Sequence, residues 1–357
     1  VVVNLAEGDT PLTRRIEAAG VRAISLEATP GSADPRVILK LAKVMRRERP
    51  DVVQTWMYHA DLLGGLAAKL AGSPPVAWNI RNGTLGPAFS KRMTLAIARA
   101  NARLSGVLPA AIVCCAESAK QIHVEIGYDA QRMLVIPNGY ELDRFRPDPE
   151  ARARIRAEAG IPDDALVAGL VARLHPQKDH RTFFEAAGHV ARRFPNAHFL
   201  LCGEQVTLDN PEIGAMVDRA GIKERCHLLG YRADMPAIQA SLDIACLCSQ
   251  GGEGFPNAIA EAMACGVPCA VSDVGDAAAI VDDTGRVAPA GDASALAKAI
   301  SGLLSLDHAD RARFGHRARQ RIIDHYDIGQ FMARYEALYD QLAEAGRSGD
   351  WAFGLSD

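Results

Sequence analysis

The sequence predicts an α/β protein made of two parallel-sheet halves, and three observations carry that expectation. Short apolar runs alternate with amphipathic segments along the chain, which is the pattern of βαβ units. The runs are mostly apolar, as strands covered by helices on both faces require. The series starts twice, and 357 residues exceed one ordinary core.

Val1-Val2-Val3-Asn4-Leu5 reads as a strand, and residues 9–19 as a helix stopped by Gly20. A strand at 21–26 precedes a helix at 34–49, which ends before Pro50. Asp51-Val52-Val53-Gln54-Thr55 is the next strand and 61–70 the next helix. Strands at 76–80, 111–115 and 133–136 continue the first series. Pro137-Asn138-Gly139 breaks it as a turn, and the polar, Pro-containing stretch 143–149 marks the domain junction. The second series has strands at 166–171, 198–202, 227–229, 244–248 and 268–272. A last strong helix, 328–345, follows the completed second sheet. The expected domains are residues 1–145 and 146–327, both Rossmann-like, with 328–357 as a closing helix and tail. Ligands are expected between such halves, at the carboxyl ends of the strands.

Composition excludes several classes. Hydrophobic residues make up 48% and charged residues 23%, ordinary for a globular protein, and no apolar run reaches the ~18 residues of a membrane span. No signal peptide is visible; the sequence begins with Val1 rather than Met, so the targeting of its native start is not readable. No G-x-G-x-x-G occurs, and the first strand leads into Glu7-Gly8-Asp9-Thr10-Pro11, which argues against a dinucleotide oxidoreductase. Cys114, Cys115, Cys202, Cys226, Cys246, Cys248, Cys265 and Cys269 form no paired C-x-x-C motif and read as buried reduced thiols of a cytoplasmic protein.

The net charge of −3 hides an asymmetry: residues 1–150 carry 19 Lys and Arg against 15 Asp and Glu, and the remainder 21 against 28. Lys40, Lys43, Arg46, Arg47 and Arg49 share one predicted helix, and Lys91, Arg92, Arg99 and Arg103 another. These runs read either as solvated helix faces or as a patch for anionic lipid headgroups. No nucleic-acid recognition motif accompanies them, so nucleic acid is not an expected partner.

The most informative segment runs Gly251-Gly252-Glu253-Gly254-Phe255-Pro256-Asn257-Ala258-Ile259-Ala260-Glu261 and closes on Cys265-Gly266-Val267-Pro268. A Gly-rich loop follows a buried strand and enters a short helix. Glycine lets backbone approach a ligand closely, and the helix start offers free N–H groups and a positive dipole end. That suits a phosphate or a sugar hydroxyl, with Glu253 and Glu261 addressing different parts of one extended ligand. In the second segment, Arg173 and Lys178 flank a turn after the strand ending at Ala172. Two cations there neutralise a diphosphate, Arg in a bidentate way and Lys as a point charge. Strand-end residues in the first half are His59, Arg81 and Asn82, with Glu117 as a weaker candidate; Gly203 and Glu204 end a strand in the second.

With these pieces in place, the chain resembles the retaining GT-B glycosyltransferases of family 4 (glycosyl transferases group 1), in the bacterial polysaccharide and lipopolysaccharide branch. The matching pieces are Val135-Ile136-Pro137-Asn138-Gly139, Phe145-Arg146-Pro147, Arg173 with Lys178, Gly230-Tyr231-Arg232, and the block from Glu253 to Glu261. The resemblance implies two facing Rossmann-like domains with a deep cleft and a final helix crossing back to the first domain. It implies Glu261 on the donor ribose, Glu253 on the donor sugar, and Arg173 and Lys178 on the diphosphate. Backbone at Gly254, Phe255, Asn257 and Ala258 is then expected near sugar and diphosphate, and Gly203, Gly230, Tyr231 and Arg232 beside the donor. His59, Arg81 and Asn82 fall on the acceptor side; many members place a His where Asn82 stands. By the same resemblance Val1 matches the second strand, so roughly 30 residues carrying a first strand and Gly-rich loop are expected ahead of it.

The expected reaction moves a sugar from a nucleotide-diphosphate donor, UDP rather than GDP, to an acceptor hydroxyl with retention. Glu253, Arg173, Lys178 and His59 are its expected catalytic residues. No cofactor and no essential metal are expected, because Arg173 and Lys178 offset the leaving-group charge. A glycan or lipid-linked saccharide is the expected acceptor, with the protein in the cytoplasm and peripheral contact with an anionic membrane through the first domain. The alternatives are a GT-B sugar-nucleotide 2-epimerase, a sugar-nucleotide-binding protein without turnover, and, further off, a storage-glucan synthase.

Overall fold

The computed structural model describes residues 1–6, 8–28, 35–86 and 90–348. Glu7 of the first loop, Asp34 at the expected helix start and the tail 349–357 lie outside the described residues. The chain divides into two compact units. One comprises Val1–Arg81, Leu85–Ile136 and Tyr335–Asp357, the other Asn82–Thr84 and Pro137–Arg334. The main crossing thus falls at the Pro137 turn, ahead of the polar stretch where the junction was expected.

The first unit runs β1 (Val2–Asn4), α1 (Pro11–Ala18), β2 (Ala23–Ser25), α2 (Pro35–Glu48), β3 (Val53–Gln54), α3 (Met57–Leu70), β4 (Val76–Ile80), α4 (Arg92–Leu104), β5 (Ala111–Cys114), α5 (Glu117–Glu125) and β6 (Met133–Val135). Its strands form two separate parallel sheets, β1-β2 and β3-β4-β5-β6, where one sheet was expected. The core sits on β4 and β5, whose residues are all buried. Arg49 falls just beyond α2, so the basic run continues past its helix.

The helix expected at 61–70 begins four residues earlier, at Met57. Trp56 to Ala60 contain no Gly, Pro or capping residue to delay it, and Asp61 is fully buried, accepting a 2.6 Å hydrogen bond from Thr55 Oγ1. His59 therefore lies in the first turn of α3, not at a strand end.

The second unit continues α6 (Pro149–Glu158), β7 (Leu166–Val171), α7 (His180–Arg193), β8 (Ala197–Cys202), α8 (Pro211–Ala220), β9 (Cys226–Leu228), α9 (Met235–Ala240), β10 (Ile244–Leu247), α10 (Asn257–Ala264), β11 (Cys269–Ser272), α11 (Ala277–Val281), β12 (Gly285–Ala288), α12 (Ala293–Leu304) and α13 (His308–Tyr326). Asp148 caps α6 through the Ala151 N–H at 2.9 Å, with Pro149 in the first turn where no N–H is needed. The sheet order is β12-β11-β10-β7-β8-β9, all parallel. Counted from β7 this is the doubly wound order 3-2-1-4-5-6, whose switch point lies between β7 and β10. Phe183, Phe199, Leu201, Ile244 and Ile300 are buried in one cluster on this sheet. The edge strand β12 was not expected from the sequence: it is four residues long, and Arg286 and Val287 are exposed, so no apolar run announces it. α14 (Ile328–Ser348) starts in the second unit and from Tyr335 belongs to the first, burying Tyr335, Leu338 and Leu342.

Candidate functional site

The loops after β7 and β10 meet at the switch point of the second sheet. After β7 the chain makes a short turn at Pro176–Lys178, and Asp179 adopts a left-handed conformation at φ 46° to cap α7. Aspartate tolerates that conformation better than most residues. Asp179 is held from both sides: its carboxylate accepts from Thr182 N at 3.2 Å, Thr182 Oγ1 at 2.5 Å and Gln250 Nε2 at 2.7 Å. Gln250 N–H also donates to Gln177 O at 2.9 Å. Gln250 thus ties the β10 loop to the β7 loop twice.

These ties bring Lys178 to Glu253. Glu253 is 8% exposed, and its Oε1 accepts from Lys178 Nζ at 2.5 Å and Ser249 Oγ at 2.7 Å. Ser272 Oγ donates to Ser249 O at 2.8 Å and fixes that hydroxyl's backbone. The Glu253 peptide itself is gripped by glycines. A Cβ on Gly83 would stand 2.0 Å from Glu253 O, and one on Gly275 2.4 Å from the same atom. Gly252, at φ +81°, donates its N–H to Thr84 Oγ1 at 2.8 Å. Arg173 is exposed and forms no ion pair among the described residues.

α10 opens at Asn257, with Ala258 next. Asn257 Oδ1 accepts from Asn138 Nδ2 at 2.6 Å and Tyr140 Oη at 2.7 Å, so the Pro137-Asn138-Gly139 turn steadies the helix start. Gly254 and Phe255 are buried, and Phe255 stacks on Tyr140 with ring centroids 6.2 Å apart. One turn further, burial pushes the Glu261 carboxyl up to about 7, opposed by a hydrogen bond from Gln239 and by the Arg144 charge.

The third wall is tighter than the sequence suggested. A Cβ on Gly203 would lie 2.0 Å from Ala172 O, and Gly203 N–H donates to Gly230 O at 2.8 Å. Gly203 therefore closes the end of β8 on that of β7. Tyr231 is 78% exposed. Arg232 forms paired 2.8 Å bonds to Asp234 and reaches Glu158 at 3.1 Å. Arg232 holds the Asp234 carboxyl down to about 2. Glu204 is exposed.

In the first unit, Arg81 follows β4, its guanidinium 5.0 Å from the Trp56 ring centre and 3.3 Å from Tyr335 Oη. His59 is half-buried, and Glu117 is exposed at the start of α5. Asn82 groups with the second unit and accepts from Thr84 N at 3.2 Å. All eight cysteines are free thiols, seven of them buried. Gly83, Thr84, Asn138, Tyr140, Ser249, Gln250 and Gly275 join the site without having been singled out for it. Ser249 and Gln250 carried a signal, since they stand at the end of an apolar strand directly before the Gly-rich loop.

Residues 2–144 match the family model described as Glycosyltransferase Family 4, and residues 165–306 the one described as Glycosyl transferases group 1. The chain is 30% identical over 247 residues to the UDP-Gal:alpha-D-GlcNAc-diphosphoundecaprenol alpha-1,3-galactosyltransferase of Escherichia coli, covering 68% of this chain and 62% of that protein. It is 31% identical over 222 residues to the GDP-mannose-dependent alpha-(1-6)-phosphatidylinositol monomannoside mannosyltransferase of Mycolicibacterium smegmatis, covering 59% and 56%. The chain thus spans less than two thirds of the length of either relative. In fold it is similar to Anabaena HepE, solved in complex with UDP and glucose, with a TM-score of 0.81 at 19% identity, covering 93% of this chain and 90% of that one.

Proposed function

The chain belongs to the group 1, family 4 glycosyltransferases and has their GT-B fold, and from that premise we propose that it moves a sugar from a nucleotide-diphosphate donor to a hydroxyl of a lipid-linked or polysaccharide acceptor, with retention. The observation that carries the reading is Lys178 and Glu253 joined across the β7–β10 switch point, with Glu261 on the helix that follows. In this reading Glu261 binds the ribose hydroxyls and Glu253 the donor sugar. The Asn257 and Ala258 amides at the start of α10 face the diphosphate. Arg173 and Lys178 offset the charge that develops on the leaving diphosphate, so no metal is required for that step.

No carboxylate pair flanks the reacting centre in this scheme. The acceptor proton passes to the departing phosphate oxygen as the glycosidic bond forms on the same face. His59 and Arg81 are assigned to the acceptor. UDP is the donor base this reading takes, supported by the UDP-Gal of the galactosyltransferase relative. Both relatives' names carry lipid-linked acceptors, which supports a lipid-linked acceptor here and work at an anionic membrane face. No described helix is long and apolar enough to cross a membrane, so that contact is assigned to the exposed basic residues of α2 and α4.

Calorimetric titration with UDP and with GDP tests the donor site, beside Glu261→Ala and Lys178→Ala. Binding of one nucleotide, weakened in both variants, is the expected result and names the base. A folded protein that binds neither nucleotide contradicts the reading. Turnover of the bound donor without an acceptor, giving an altered sugar, points instead to a 2-epimerase.

A further inference from the structure

Gln239 of α9 is fully buried. The end of that short helix is pinned from behind. Arg156 Nε donates to Ser241 O at 3.0 Å and Arg156 pairs with Asp243 at 2.7 Å, while Arg152 donates to Leu242 O at 3.0 Å. α9 therefore presents Gln239 to α10 as a fixed group.

The amide meets α10 in one orientation. Its Nε2 donates to Ala258 O at 2.9 Å. A carbonyl oxygen only accepts, so the amide nitrogen and not its oxygen must stand there. The amide also hydrogen-bonds the Glu261 carboxyl, and this bond favours the ionised form. A bond of that sign is donated to the carboxyl, so the second N–H makes it. Ala258 and Glu261 lie three residues apart on one helix face, within the span of one amide. The amide oxygen is left over: Gln239 Oε1 is buried and has no hydrogen-bond partner. A buried acceptor without a donor is costly.

A carboxylic acid is the complement of the amide edge that carries both C=O and N–H, since its own carbonyl accepts and its O–H donates. A carboxylate only accepts and satisfies half of that edge. Neutral Glu261 thus supplies the donor that Oε1 lacks. Few charges compete for its proton. α9 has no titratable side chain. Arg144 is the cation whose field reaches Glu261. Arg319 of α13 gives its guanidinium to the carbonyls of Ala264 and Phe145, at the far end of α10. Cys265 beside Glu261, Cys246 of β10 and Cys269 of β11 are thiols whose burial keeps them neutral. Glu261 itself is half-buried, so a ligand can still reach it.

We infer that Gln239 and Glu261 form an acid–amide pair in the nucleotide-free protein, and that nucleotide binding opens it with release of the Glu261 proton to solvent. The ribose hydroxyls then donate to one carboxylate oxygen while the Gln239 N–H holds the other. Gln239 is a positioning residue, acting on the nucleotide through Glu261. The inference rests on the assignment of Glu261 to the donor ribose.

Two measurements test it. A carbon-13 titration follows the Glu261 carboxyl in the nucleotide-free protein, assigned by its loss in Glu261→Gln. Calorimetry of UDP and GDP binding in buffers of different ionisation enthalpy counts the protons released. Glu261 is expected to titrate at about 7. Binding should release close to one proton at pH 6 and about a tenth of one at pH 8. Gln239→Met keeps the side chain's length without its polar atoms. It should raise the Glu261 titration by about one pH unit. Nucleotide binding then weakens about fivefold at pH 7 and hardly changes at pH 9, and proton release at pH 8 rises to about a half. A Glu261 titration that Gln239→Met does not move overturns the pair. Equal weakening at pH 7 and pH 9 gives Gln239 a packing role alone and overturns it as well. Binding that needs Glu261 but releases no proton between pH 6 and pH 8 overturns the coupling. Binding of neither nucleotide overturns the donor-ribose reading instead, and the carboxyl titration then decides the pair by itself. Should Gln239→Met not fold, the proton count of the unmodified protein against Glu261→Gln decides the coupling.

Discussion

Lys178 Nζ lies 2.5 Å from Glu253 Oε1 although 75 positions separate the two residues. The contact exists because β7 and β10 are neighbours in the sheet while the chain between them makes two further strands. Glu253 is nearly buried and Lys178 is partly exposed, so the carboxylate depends on the ammonium more than the reverse. Lys178→Ala leaves Glu253 with the Ser249 hydroxyl as its remaining described side-chain donor. The expected result is a lower melting temperature, and a coupling energy of about 0.5–3 kcal/mol in a Lys178→Ala, Glu253→Gln cycle read by urea unfolding. Transfer is expected to slow by roughly 10²–10³ in kcat, as when one charge-stabilising donor is removed. A cycle with no coupling would show that the pair does not contribute to stability.

Glu261 gives a pH dependence with two opposite signs. Burial raises its carboxyl from the ordinary 4.5 to about 7, so the folded chain holds this proton more tightly than the unfolded chain. The stability it contributes is therefore complete below pH 4.5 and is lost as the pH rises through 7. In the proposed donor site the ribose hydroxyls donate to the ionised form, so nucleotide affinity is expected to rise over the same range. Binding is expected to be about tenfold weaker at pH 6 than at pH 8, and Glu261→Gln flattens both profiles. Calorimetry and thermal unfolding between pH 5 and 8 read the two effects. Parallel rather than opposed trends would contradict the assignment.

Gly83 is required by distance. A Cβ there meets Glu253 O at 2.0 Å and Gly254 Cα at 2.6 Å, both backbone atoms that cannot swing away. Gly83→Ala should push the Glu253 peptide aside, destabilise the fold by about 1–3 kcal/mol and raise the donor KM. Gly302 in α12 is the contrast, since its Cβ meets nothing within 4 Å. Gly302→Ala should stabilise by about 0.5–1 kcal/mol and leave the donor KM alone. Equal effects at both positions would remove the geometric argument.

The sequence made the strands legible where they are buried on both faces, as at β4, β5, β7 and β8, because such runs are almost wholly apolar, Asn79 and His198 being the polar exceptions. β12 escaped because Arg286 and Val287 point to solvent from an edge. The start of α3 escaped because Tyr58 and Asp61 are buried by contacts outside the local pattern. Glu253 and Glu261 were singled out through the Gly-rich loop that holds the first and leads into the helix that holds the second. Their partners were not, since Ser272, Thr84 and Asn138 reach the loop only through the fold. The ion pair of Arg232 with Asp234 lies two residues along the chain, yet nothing local separates it from a free cation waiting for a ligand.

The proposed membrane contact rests on the basic helices α2 and α4. α4 exposes Arg92, Ala96, Arg99 and Arg103 in one stripe beside Met93, and it contains no acidic residue. α2 exposes Arg36, Lys40, Lys43 and Arg47 at the same spacing, with Leu39 63% exposed. α3 packs against both helices. Cations with adjoining exposed apolar side chains suit an anionic lipid surface, where each contributes about 1 kcal/mol. Vesicles containing anionic lipid are therefore expected to recruit the protein at low salt and release it as salt screens the charges. Changing Arg92, Arg99 and Arg103 together to Glu should weaken recruitment on the order of 100-fold, with nucleotide binding by the second unit unchanged. Failure of anionic vesicles to recruit the unmodified protein at low salt would return both helices to ordinary solvated faces and move the acceptor encounter away from the membrane.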